Sequence, residues 1–205
     1  MNTSFADIEK KENRKDLIIS ICVFLSGFSC FAQLYYFQPL LPDLAKDFIL
    51  SASESSFAIS FSTLGMVFGL FTTMFVADRI PRKKMIGTGL LSSSIFSVAA
   101  SFSPTFLPLI LLSAAKGFLL SGATSVSMAY IAEEVSSRNK GKIMGLYIAG
   151  NALGGMAGRV ISSWIGALYT WRIASVSIGL ICALFAILFL PVSYTHLTLP
   201  TTSRV

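Results

Sequence analysis

The sequence predicts an all-α integral membrane protein that crosses the bilayer six times. Hydrophobic residues make up 54% of the 205 and charged residues only 13%, against roughly a quarter charged in soluble domains. Too few polar side chains remain to cover a surface facing water, so a lipid bilayer is the expected partner. The apolar residues gather in six runs, about 17–41, 55–77, 85–102, 106–132, 143–164 and 173–190. Each is close to the ~20 residues that a helix rising about 1.5 Å per residue needs to cross ~30 Å of hydrocarbon. The short alternating strands of a closed barrel are absent from the pattern.

The net charge of +6 and a pI near 9.4 raise the question of nucleic acid. The basic residues stand instead in short clusters at the ends of apolar runs, as orienting loop charges do, and no nucleic-acid partner is expected. Cys22, Cys30 and Cys182 lie inside apolar runs without ligand spacing, which reads as buried reduced thiols rather than a metal site.

Residues 1–16, with Lys10, Lys11, Arg14 and Lys15, read as a disordered cytoplasmic tail. The first run is longer than the ~7–15-residue core of a signal peptide. It ends in Tyr35-Tyr36-Phe37-Gln38-Pro39, aromatic residues suited to a headgroup interface, and an amphipathic exit from Leu41 to Phe48 follows. Between the second and third runs lies the basic turn Asp78-Arg79-Ile80-Pro81-Arg82-Lys83-Lys84. Pro104 ends the third run, and Glu133 to Lys142 form the charged loop after the fourth. Tyr169-Thr170-Trp171-Arg172 turns the chain into the sixth run, which Pro191 is expected to stop. One set of connections holds Lys10, Lys11, Arg14, Lys15, Arg79, Arg82, Lys83, Lys84, Arg138, Lys140 and Lys142. The other holds Lys46 and Arg172. This bias places both ends of the six-span unit in the cytoplasm.

After Pro191 the composition changes. Residues 192–205 resemble one reading frame of a transposase-adaptor oligonucleotide used in DNA library preparation, and are read as a sequencing artefact; a disordered polar tail is the alternative. On the first reading the chain is the front part of a longer protein.

The basic turn resembles the loop signature G-x-x-x-D-R-x-G-R-K of the major facilitator superfamily. Asp78, Arg79, Arg82 and Lys83 match; Met74 and Pro81 stand where glycines are usual, and proline's fixed φ suits the turn. Leu41-Pro42-x-Leu44-Ala45-x-x-Phe48 and Glu133 through Arg138 with Gly141 are similar to two further family segments. Gly150-Asn151-Ala152-Leu153-Gly154-Gly155 is similar to the span-five signature of its proton antiporters, with Asn151 in place of proline. The resemblance covers residues 17–191. It implies the N-terminal bundle of a twelve-helix transporter, built as two inverted three-helix repeats. The stripes Gly65-x-x-x-Gly69 and Gly150-x-x-x-Gly154-x-x-x-Gly158, on spans two and five, fit that arrangement; Gly155 lies beside the second. Small residues let helix backbones approach closely where lipid gives no hydrophobic drive, and packing alone is an equally open reading of each stripe.

The resemblance also implies a cytoplasmic latch between two six-helix halves. Asp78 would face a helix N-terminus in the partner half, and Arg82 would be free to pair with Glu133 or Glu134; Arg79, Lys83 and Arg138 complete the motif. A plain orienting loop is the alternative. Lys116 lies near the middle of span four, where a charge costs ~2.5–3.5 kcal/mol, so it should face a cavity. It reads as a group on the substrate path, replacing the arginine the family usually carries one turn earlier at Ser113. A structural partner to a residue elsewhere is the other reading. Gln33, Tyr36, Ser125 and Asn151 are further candidate lining residues. Arg159 reads as snorkelling to the headgroups.

No carboxylate lies inside a span, so a proton carrier would be Asp43 at the outer mouth or a group outside this chain. No metal cluster, nucleophile–base pair or phosphate loop points to an enzyme, and no cofactor is expected beyond a proton gradient as energy source. The resulting expectation is half of a secondary transporter in a bacterial inner membrane, exporting small amphipathic or drug-like compounds by alternating access and inactive without its second half. Uptake of a small organic anion, and a non-transporting scaffold or fragment, are the alternatives.

Overall fold

The computed structural model describes residues 5–77 and 79–194, and every regular element among them is helical. The long helices are α1 (Phe5–Tyr35), α4 (Phe57–Val76), α5 (Arg82–Ser101), α6 (Phe106–Glu134), α7 (Lys140–Leu168) and α8 (Trp171–Tyr194). They lie on the six apolar runs. A 3₁₀ turn (Gln38–Leu40) and the short helices α2 (Leu41–Asp47) and α3 (Ala52–Ser55) join α1 to α4.

Local chemistry sets several of these boundaries. Pro39 and Pro42 stand at the starts of the 3₁₀ turn and α2, where a missing N–H costs nothing. Ser51 and Glu54 form a reciprocal capping box that starts α3: the Glu54 N–H donates to Ser51 Oγ (3.2 Å) and the Ser51 N–H to the Glu54 carboxylate (2.8 Å).

Two expectations change here. Helix α1 begins at Phe5, so the disordered tail expected up to residue 16 is helical from that point. The side-chain anchors of Lys15 and Asp16, described below, hold its lower part. Helix α8 runs to Tyr194, past the stop expected at Pro191; a proline deletes one backbone hydrogen bond and ends a helix only where nothing else sustains it. The non-native reading of 192–205 falls, from residue 195 on, outside the described residues.

The segments Asn13–Asp47, Ala52–Val76, Phe106–Glu134 and Trp171–Phe189 are long and apolar enough to span a membrane by length and composition. Helices α5 and α7 fall short because three bases open α5 and serines and glycines fill its inner face and that of α7. Contacts at their ends nevertheless place both across the bundle. Arg82 at the start of α5 bonds to Glu133 near the end of α6, and the carbonyl of Ser101 at the end of α5 accepts from Arg172 at the start of α8. Asn139, just before α7, bonds to Asp16, whereas Arg159 far along α7 bonds to Gln38 beyond α1. All six long helices therefore run alternately between a basic end and an opposite end.

Helix α4 packs on α6, α1 on α7, and α5 on both α6 and α8. The glycine stripes lie in the first two seams. A Cβ at Gly65 would overlap the Ala114 carbonyl, and one at Gly117 the Ser62 carbonyl. On the other seam a Cβ at Gly150 would stand 2.6 Å from the Phe24 carbonyl oxygen, one at Gly154 would overlap that of Phe28, and one at Gly158 would stand 2.7 Å from Ala32. Backbone meets backbone at each point, as small residues permit. Exchanging α1, α4, α5 for α6, α7, α8 interchanges the two seams, which is the relation of an inverted repeat.

Candidate functional site

Lys116 is the centre of the polar interior. It projects from α6 among the α1 exit residues, is 1% exposed, and its Nζ has no hydrogen-bond partner. Two rings take the place of water: Nζ lies 4.5 Å from the centroid of Tyr36 and 4.9 Å from that of Phe37. Such cation–π contacts stabilise a desolvated ammonium by about 2 kcal/mol. The expectation that Lys116 faces a cavity is corrected by this enclosure. The reason lies in the 3₁₀ turn and α2, which fold the aromatic exit over the ammonium. Tyr36 is fully buried and its hydroxyl is unpartnered, as are those of Ser113, one turn before Lys116, and Ser62, whose carbonyl abuts Gly117. Buried polar groups are rarely left without partners, so the unpartnered Lys116 ammonium marks a place where a ligand would find a donor.

The other expected lining residues separate. Gln33 is fully buried and spans α1 to α5, its Nε2 donating to Ser94 Oγ (3.2 Å) and its Oε1 accepting from Ser97 Oγ (3.1 Å). Ser125 lies on the exposed strip of α6, its hydroxyl donating to the Ser121 carbonyl (2.7 Å). Asn151 stands in the α1–α7 seam: its Oδ1 is buried without a partner at the place that a Cβ on Gly27 would fill. Helix α7 passes through Asn151 unbroken. Arg159 does not simply snorkel, because it stacks on Tyr35 (4.6 Å) while its Nε donates to Gln38 Oε1 (2.5 Å).

At the basic end, Arg82 donates to the Glu133 carboxylate at 2.6 Å, with Glu133 more than half exposed. Lys83 lies over the Tyr130 ring at 5.6 Å. Arg79 and Arg138 are exposed. Asp78 lies outside the described residues. A cleft of about 440 Å³ opens beside Arg79, Pro81, Arg82 and Glu133. Sequence reasoning missed Asp16. It is buried, and its carboxylate accepts from Ser136 Oγ (2.6 Å) and Asn139 Nδ2 (2.8 Å), while Lys15 pairs with Glu134 (2.9 Å). The acid's position directly before an apolar run was the available signal.

Residues 20–204 match the family model described as Major Facilitator Superfamily. The chain belongs to the major facilitator superfamily. It is similar to a Buchnera aphidicola subsp. Schizaphis graminum protein described as an uncharacterized transporter, 38% identical over 89% of this chain and 44% of the relative. It is also similar to the inner membrane transport protein YnfM of Escherichia coli K12, 36% identical over 83% of this chain and 42% of that protein. The niacin transporter NiaP of Acinetobacter baylyi is more distant, 27% identical over 69% of the chain and 32% of its own length. The chain spans under half the length of these relatives. Membership makes it a multi-pass membrane protein with the superfamily's all-α fold.

Within a superfamily bundle the end opposite the basic turn carries a second polar cluster that the sequence did not single out. Arg172 donates to Asp47 Oδ2 (3.2 Å) and, through its other terminal nitrogen, to the carbonyls of Ser101 (2.8 Å) and Ser103 (2.9 Å). Trp171 Nε1 donates to the same Asp47 oxygen at 2.9 Å, and Arg172 stacks on the Trp171 ring at 4.4 Å. An open pocket of about 390 Å³ lies between this cluster, Asp43 and Tyr169.

Proposed function

We propose that the chain forms the N-terminal six-helix half of a secondary active transporter that works by alternating access on the proton gradient, with Lys116 as its substrate-binding cation and a small organic anion as substrate. The observation that carries this reading is the fully buried Lys116 ammonium, stacked by Tyr36 and Phe37 and without a hydrogen-bond partner. No acid falls within the six apolar runs to neutralise it. A carboxylate entering between α1 and α6 would supply the missing acceptor. The relative named as a niacin transporter handles a small carboxylic acid by name, which supports the class. A second six-helix half, for which the greater length of the relatives leaves room, would complete the central site.

In this reading the basic end faces the cytoplasm of a bacterial inner membrane, as the lysine and arginine bias favours. Asp78, Arg79, Arg82, Lys83, Glu133 and Arg138 form a latch toward the other half. Export of small amphipathic compounds is the second reading, favoured by the Gly150–Gly158 seam and its likeness to the antiporter signature.

The test is transport by the complete gene product in proteoliposomes with an imposed proton gradient, using a panel of radiolabelled carboxylates and lipophilic cations. Lys116→Met should lower carboxylate transport by a factor of about 30 or more, the ~2 kcal/mol lower bound for losing one partner of a buried charge pair. Carboxylate transport that survives the substitution overturns the reading. Extrusion of lipophilic cations that is indifferent to Lys116 establishes the second reading in its place. Asp78→Asn should slow transport of either class without lowering the amount of protein in the membrane.

A further inference from the structure

The rings that enclose Lys116 belong to a segment held from a distance. Tyr36 and Phe37 begin a stretch that continues through the 3₁₀ turn and α2 to Asp47 and Phe48. Its near part is fixed by two contacts from α7: Ser162 Oγ donates to the Tyr36 carbonyl (2.8 Å), and Arg159 donates to Gln38. Its far part is fixed by the Phe106 ring, 5.8 Å from that of Phe48, and by the cluster at the start of α8. There Asp47 accepts from both Trp171 and Arg172, and Phe48 packs on the Trp171 ring at 5.7 Å. Arg172 in turn grips the end of α5 through the Ser101 and Ser103 carbonyls, a cation placed where a helix C-terminus is electrostatically negative. Trp171, Leu44, Leu40, Phe37 and Tyr36 share one buried core. The far part of the segment and the rings over the ammonium are thus packed in one core.

We propose that Asp47, Trp171 and Arg172 are positioning residues for Lys116: they hold the aromatic exit segment closed over its ammonium, and their release uncovers Lys116 toward the end of the bundle opposite the basic turn. The inference rests on the reading of Lys116 as the substrate-binding cation. Two features suit the cluster to opening and closing. Its ion pair is partly solvated, with Arg172 38% and Asp47 45% exposed, so separating the charges does not strand them in hydrocarbon. The rings it controls compete with a substrate anion for the same ammonium, so an anion that binds the uncovered lysine favours the released arrangement by its differential affinity.

The test reads the accessibility of Lys116 itself. The complete gene product in lipid nanodiscs is exposed briefly to acetic anhydride, and acetylation is quantified by peptide mass spectrometry with Lys142, exposed in this half, as reference. Asp47→Asn and Arg172→Gln should raise Lys116 acetylation about fivefold or more, the population shift expected when charge-assisted bonds holding one state are lost. Trp171→Phe, which leaves a smaller aromatic ring without the N–H that bonds Asp47, should give a smaller rise and covers the case in which Arg172→Gln fails to insert. Lys46→Gln, a charge removed from the same short helix outside the cluster, should change nothing. Unchanged acetylation in all of the inserted cluster variants overturns the proposal, and so does an equal rise in Lys46→Gln. Benzoate is added as a separate arm. If cluster variants uncover Lys116 and benzoate protects it, both readings gain. If they uncover it and benzoate gives no protection, the positioning role stands and the anion reading falls.

Discussion

In the α4–α6 seam, Gly117 of α6 lies against the backbone of Ser62 on α4; in the α1–α7 seam, Gly27 of α1 lies against Tyr147 on α7. Setting Gly117 on Gly27 and Ser62 on Tyr147 brings the rest into register. Gly65 and Gly69 fall on Gly150 and Gly154, because 65 − 62 equals 150 − 147 and 69 − 62 equals 154 − 147. Their contacts correspond as well: Gly65 meets Ala114 where Gly150 meets Phe24, and Gly69 meets Phe118 where Gly154 meets Phe28. The same close approach is thus built twice. The two seams part at the residue before the shared glycine. On α6 it is Lys116; on α1 it is Ser26, whose hydroxyl donates to the Val23 carbonyl at 3.0 Å. The close approach uses glycine at both places and calls for lysine at neither, so Lys116 is an addition that packing does not explain.

Gly65→Ala and Gly154→Ala should break the two seams about equally. Each new Cβ falls on a backbone carbonyl, which no side-chain rotation relieves, so the helices must separate. The expected cost is about 3 kcal/mol for either, the upper part of the range for overpacking. Thermal unfolding of the two variants in the same detergent checks it. A large loss for one and none for the other would break the equivalence of the seams.

Lys116→Met tests their difference. The substitution removes a buried ammonium that lacks a hydrogen-bond partner and leaves an unbranched side chain that keeps contact with Tyr36 and Phe37. It should stabilise the bundle by about 1–3 kcal/mol, as replacing buried charges by apolar groups often does. Ser26→Met, at the equivalent place, should give no such gain. A loss of stability in Lys116→Met would make the lysine structural, held by its rings, and would return the two seams to parity.

Much of the fold was legible because it is written in long-range averages. Six apolar runs, the loop bias and the glycine stripes each depend on many residues or on the absence of a side chain. The site was legible only in part. Lys116 stood out as a charge among apolar residues, but its enclosure was hidden, because the rings that cover it come from the far end of α1 through a turn whose path no periodicity encodes. Gln33 stood out as a polar residue in span one, but its two serine partners on α5 could not be read from the sequence. Asp47 and Arg172 are separated by most of the chain, and nothing local in either segment announces the other.

Gly155→Ala is the smallest effect and isolates what makes a glycine part of a seam. Gly155 adjoins Gly154 and belongs to the same sequence signature, yet its neighbour is different. A Cβ there would first meet Tyr35 Cδ2 at 3.3 Å, then Phe31 Cβ at 3.8 Å, and no backbone atom stands among its nearest contacts. The Tyr35 ring lies at the surface of α1, where it stacks on Arg159, and can give by a few tenths of an ångström. Against that small strain stands the helix preference of alanine over glycine, about 1 kcal/mol in a helix interior. The two nearly cancel, so the variant should unfold within about 0.5 kcal/mol of the parent or slightly above it. Measured beside Gly154→Ala, one residue away on the same helix, it separates the cost of touching backbone from the cost of replacing glycine. A loss as large as that of Gly154→Ala would mean that α7 needs its whole glycine cluster and not the seam face alone.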